Sequence, residues 1–66
     1  MNDRVFEWFI DVLLENAKEA QEGTDDYSIG KRTAYYEMLN SLKSQMQAYD
    51  MDVSKFGLDF DLEKLL

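Results

Sequence analysis

The chain has no cysteine, no histidine and no proline, and only three glycines in 66 residues. Without cysteine there are no disulfides and no thiolate zinc site. Without histidine the commonest transition-metal ligand is missing, as is the side chain that titrates nearest neutral pH. A Ser–His nucleophile pair is therefore excluded. With no proline, helices can run long; the glycines at 23, 30 and 57 are the natural punctuation. A chain of this length makes one domain, residues 1–66, and buries only about 60% of the surface its unfolded form exposes. Small domains usually add a disulfide, a metal or a second subunit. Self-association is the one of these still open, and a homodimer is the expected state.

Long apolar runs are absent too. Glu7, Asp11 and Glu15 cut through the apolar amino end, which shows neither a basic leader nor a small-residue cleavage pattern. No uninterrupted apolar stretch approaches the roughly 20 residues that span a bilayer. These features predict a soluble, cytoplasmic protein. Positive charge is scarce: residues 1–26 carry eight acids and two bases (−6), 27–49 one and three (+2), and 50–66 five and two (−3). The total of −7 disfavours nucleic acid and anionic lipid as partners, since both need clustered lysine and arginine.

What is present is helical periodicity. Over about 3–22, Arg4, Glu7, Asp11, Glu15, Lys18 and Glu22 recur at steps of three and four and form a solvated stripe. Opposite lie Val5, Phe6, Phe9, Val12, Leu13, Ala17 and Ala20, with Ile10 and Leu14 on one flank and Trp8 on the other. At 100° per residue the apolar arc reaches about 200° or more, wider than one antiparallel neighbour covers. Asn2 or Asp3 suits the N-cap and Gly23 the residue that ends the helix. A second helix spans about 29–50, with Tyr35, Met38, Leu39, Leu42, Met46 and Tyr49 in a single stripe. Asp25, Asp26 and Ser28 are alternative caps for it. The short connection predicts an antiparallel hairpin.

The tail, "DMDVSKFGLDFDLEKLL", predicts two short helical turns. Asp52 caps one over 53–56, Gly57 suits a left-handed end with Leu58 as its apolar contact, and Asp59 or Asp61 caps another over 60–65. Five large apolar residues among the nine from Leu58 to Leu66 are too many for a frayed end. The tail either clasps the uncovered flank of the first helix or docks on a second subunit or partner. The fold class expected is all-α: an antiparallel two-helix hairpin closed by a short C-terminal helical segment.

Chemistry finds little support. The carboxylates of the first helix lie on a solvated face rather than paired in a cleft. "DMD" and "DFDLE" supply fragments of a calcium loop without its glycine. No glycine-rich phosphate loop exists. "SQMQAYD" shares only two letters with the Ser-Gln-Glu-Leu-Asp motif of helical-hairpin phosphatases that act on response regulators. The expectation is a protein that is not an enzyme and takes no cofactor and no metal. Aromatic residues at a core rim are common interface anchors. Trp8 and Tyr36 hold such places, so the candidate interface is Trp8, Ile10, Leu14 and Tyr36 with Phe60 and Leu62 of the tail beside it. The alternative is an acidic decoy whose first-helix acids imitate a phosphate row for a basic, nucleic-acid-handling protein.

The run "GKRTAYYEMLNSLKSQMQAYDMD" followed by "FGLDFDLEKLL" resembles small uncharacterised acidic proteins of Gram-positive bacteria, some encoded on conjugative transposons and other mobile elements. The likeness covers residues 30–66 and rests on the glycine and basic residues before Ala34-Tyr35-Tyr36-Glu37 and on the acidic apolar tail. It implies a helical bundle and an accessory role, and assigns no functional residue.

Overall fold

A computed structural model describes residues 3–66. Helix α1 spans Asp3–Ala20 and helix α2 Asp26–Ala48; two 3-10 turns follow at Val53–Phe56 and Leu62–Leu65. No strand is present among the described residues. The helices pack against each other as a hairpin, and the tail lies over one side of it. Its course is marked by three contacts: Phe56 meets Phe6 edge-on at 5.3 Å, Lys43 Nζ donates to the Phe60 carbonyl at 2.6 Å, and Gln21 Nε2 donates to the Lys64 carbonyl at 2.7 Å. The tail thus runs from the open end of the hairpin to the connected end.

The core explains that course. Ile10, Leu14 and Ala17 of α1 and Leu39 and Met46 of α2 are buried together with Phe56, Leu58, Leu62 and Leu65 of the tail. Ala17 and Ala20 are small enough to let the returning chain approach closely. No buried side-chain nitrogen or oxygen lacks a partner among the described residues. Arg32 reaches back from α2 to the carbonyls of Ala20 and Gly23, at 3.4 and 2.8 Å, and so ties the end of α1 to the connection.

The helix ends depart from expectation in instructive ways. The proposed cap at Asn2 lies outside the described residues. α1 stops at Ala20, two residues early. Gly23 does not take the left-handed conformation expected of a helix-ending glycine. Its role is spatial instead, because a Cβ there would collide with the Ser28 hydroxyl. α2 starts at Asp26, three residues before the expected start at 29, with Asp25 at the N-cap in an extended conformation. The stripe misses this turn because Asp26, Tyr27 and Ser28 are not core residues.

Asp50 ends α2. It has a positive φ of 57°, and the Met51 amide bonds the Met46 carbonyl at 2.8 Å while the Asp50 amide bonds Gln47 at 3.2 Å. This is a Schellman closure with aspartate where glycine is usual. A side chain in that region costs about 1–2 kcal/mol, and an anion beside the helix C-terminus adds a further penalty. Asp50→Gly is expected to raise stability by about 0.5–1 kcal/mol, since greater freedom in the unfolded chain offsets part of the gain. Thermal unfolding of the two proteins checks it.

The same closure recurs after Phe56. Gly57 has φ 74°, its amide bonds Ser54 at 3.1 Å, and Leu58 bonds Val53 at 3.0 Å. At the front of this turn Asp52 accepts from the Ser54 amide at 3.0 Å and from its hydroxyl. The Ser54 side-chain bond, aided by the backbone one, holds the Asp52 carboxyl below its ordinary range. A folded pKa below the unfolded one gives stability that is complete above the unfolded value and is lost as pH falls through the folded value. Asp52→Ala is therefore expected to melt below the wild type at neutral pH, with the gap closing as acid takes the solution beneath the carboxylate range. Melting curves at a series of pH values measure this. The final turn starts at Leu62 rather than 60, because Asp61 caps it by accepting from the Glu63 amide at 3.1 Å.

Candidate interaction surface

The wide apolar arc of α1 is divided in two. One line, Phe6–Ile10–Leu14 with Leu13, Ala17 and Ala20, faces α2 and the tail. The other, Val5, Trp8, Phe9 and Val12, follows i, i+3, i+4, i+7 and therefore forms one continuous strip. Val5 is 53% exposed, Trp8 64% and Phe9 50%; Val12 is half-buried. On α2 the matching flank is Tyr35, Met38, Leu42 and Tyr49, of which Met38 and Tyr49 are exposed. The two flanks meet where Asn16 Nδ2 donates to the Tyr35 hydroxyl at 3.3 Å. From that point the antiparallel helices carry Val12, Phe9 and Val5 back along the same side of the hairpin as Met38, Leu42 and Tyr49.

The expected interface is redistributed by the structure. Ile10, Leu14 and Leu62 lie inside the chain's own core, so they are corrected from interface to core. The tail covers the two helix residues in the same chain. Tyr36 and Phe60 are half-buried against that core. Trp8 alone of the six is largely exposed, and at 100° per residue it lies about 160° from Ile10 around the axis. The six residues therefore do not make one surface. Val5, Phe9, Met38 and Tyr49, placed in the apolar stripes by periodicity, are at least half exposed. A finer division of the arc would have separated them, because alanines 17 and 20 continue the Ile10 line and mark where the helix is approached closely.

Charge is arranged around the strip. Asp11, Glu15 and Glu19 stand exposed along its outer edge on α1. On α2 the outer edge is Ala34, Ser41, Gln45 and Ala48, exposed and uncharged, with the exposed Glu37 beside Ser41 and Ala48 as its one acid. Arg4 stands at one end of this side and Lys31, 5.9 Å from the Tyr27 ring centre, at the other. Lys18, exposed, lies about 20° round the axis from Asp11 and is the one base along that edge. Lys43 and Lys55 belong to the tail side, where Lys55 pairs with Glu7 at 3.7 Å. That exposed pair is worth at most about 1 kcal/mol.

Among the described residues there is no pocket to enclose a small molecule and no cluster of acids arranged to hold a metal ion. No helix there is long and apolar enough to cross a membrane. No protein-family model matches the chain, and no curated protein or solved structure matches it either.

Proposed function

We propose that the protein is a non-enzymatic interaction module that binds another protein through the Val5–Trp8–Phe9–Val12 strip and the adjoining flank of α2. One observation carries this reading. A chain short of core nevertheless leaves a tryptophan, a phenylalanine and a valine at least half exposed in one strip, while its tail is used to bury the opposite flank. Burying an exposed aromatic or aliphatic side chain yields about 1.5–3 kcal/mol, so contact with this strip is where binding energy is available. An accessory role accords with the resemblance of residues 30–66 to small acidic proteins of mobile elements.

A photo-crosslinking amino acid placed at position 8 tests the reading, with position 44, an exposed serine of α2 about 120° round the axis from Met38, as control. Adducts at 8 and none at 44, formed in the cells that make the protein, are expected. Equal labelling at both positions would sink it. An adduct of twice the 7.8 kDa chain would identify the partner as a second copy. A second reading is the acidic decoy, favoured by the exposure of Asp11, Glu15 and Glu19. It requires no apolar contact, and its binding would collapse with added salt whether or not Trp8 is present.

A further inference from the structure

We infer that the occupant of this surface is a basic amphipathic helix, with apolar residues toward the strip and lysine or arginine toward the α1 edge. The inference rests on the proposal that the strip is a contact surface and adds what fits it. Shape is the first argument. The face is built from two antiparallel helices, and the described residues hold no strand edge to which an extended peptide would add backbone hydrogen bonds. What packs into the channel between two helices is the ridge of a third. From Val5 to Asn16 the strip is about 16 Å long, three turns of helix, and so takes a partner with apolar residues at i, i+3, i+4 and i+7.

Charge is the second argument, and it decides between occupants. Asp11, Glu15 and Glu19 line one edge against a single base, Lys18, and the other edge adds only the acid Glu37, while Arg4 and Lys31 stand at the two ends. A second copy meeting the face symmetrically would lay the same acids around the same contact. It would also bring together two chains of net charge −7. Partial desolvation at such a contact weakens the screening that keeps like charges tolerable in water. A cationic helix converts that repulsion into attraction and speeds encounter.

The test uses the full chain and three synthetic peptides of about 16 residues containing only leucine and a charged residue, a length of about four turns. One is Leu/Lys with helical amphipathic spacing, one is Leu/Glu with the same spacing, and one is the Leu/Lys composition scrambled. Trp8 is the only tryptophan in the chain, so its emission reports the strip directly. The amphipathic Leu/Lys peptide is expected to shift Trp8 emission to the blue and to bind about tenfold or more tighter than either control, a difference of about 1.4 kcal/mol. Phe9→Ser is expected to weaken it about tenfold. Asp11→Asn with Glu15→Gln should weaken it several-fold, with unchanged circular dichroism in both variants.

Equal binding of Leu/Glu and Leu/Lys would overturn the assignment of charge. Equal binding of the scrambled peptide without a Trp8 shift would overturn the apolar contact. A concentration-dependent dimer that buries Trp8 and excludes every peptide would overturn the inference while leaving the interaction module standing. No binding by any peptide to a monomer would overturn it too. The interaction module falls with it only if position 8 also fails to crosslink.

Discussion

Deleting residues 58–66 is expected to abolish cooperative folding rather than merely lower the melting temperature. The deletion removes Leu58, Leu62 and Leu65, all buried in the core with Ile10, Leu14 and Leu39. Each such leucine contributes about 1.5–3 kcal/mol by burial, so the three supply about 5–9 kcal/mol before the cost of ordering the tail is set against them. A domain of this size has a net stability of only about 3–10 kcal/mol. The loss extends beyond the deleted residues, because Ile10 and the flank of Leu14 would face water and Lys43 would lose the Phe60 carbonyl. Circular dichroism should show reduced helicity at room temperature, and a dye that binds apolar surface should fluoresce in its presence. A truncated chain that melts cooperatively near the wild type, without binding dye, would mean that the clasp is not needed.

The short turns of the tail were legible in the sequence because their signals are local, whereas its packing on its own chain rather than on a partner was not. Gly57 before Leu58 marks a left-handed turn with an apolar contact, and Asp52 and Asp61 stand two residues before the amides they cap. Nothing beyond neighbouring residues has to be known. Asp50 escaped the same reading because aspartate only tolerates the left-handed conformation that glycine favours, so the second Schellman closure carries no residue signature. Gly23 was misread for the converse reason. A glycine near a helix end suggests a conformation, whereas here it makes room for Ser28, a neighbour five residues away that helix-ending rules do not consider.

The candidate surface was half legible. The breadth of the apolar arc on α1 follows from spacing alone, and so does the need for a second cover beside α2. Which part of the arc is covered does not follow, because Val5, Phe9, Ile10 and Leu14 are equally apolar. Tertiary placement decides it. The tail enters on the Phe6–Ile10–Leu14 side, where it shares one buried cluster with Leu39 and Met46, and the remaining residues are left uncovered by geometry rather than composition. Trp8, the side chain with the most apolar surface to bury, stays in water as a consequence.

That division sets the second large effect, a contrast between two residues of the same helix. Ile10→Ala is expected to cost about 2–5 kcal/mol, because Ile10 is 0% exposed and its removal leaves a cavity that α2 and the tail cannot both close. In a domain this small such a loss leaves a substantial unfolded fraction at room temperature. Trp8→Ser removes the larger side chain and is expected to change stability by no more than about 0.5 kcal/mol, since exposed positions contribute little to folding. Denaturant titration of the two variants measures the difference. The order of effects would reverse if Trp8 packed in the core and Ile10 faced a partner, the arrangement that residue size alone favours. Photo-crosslinking from position 9 gives the independent check: it should retain its adduct in a chain with intact Trp8 and lose it in Trp8→Ser, although both chains remain folded. Loss of the contact without loss of the fold would separate the side of α1 that builds the protein from the side that binds.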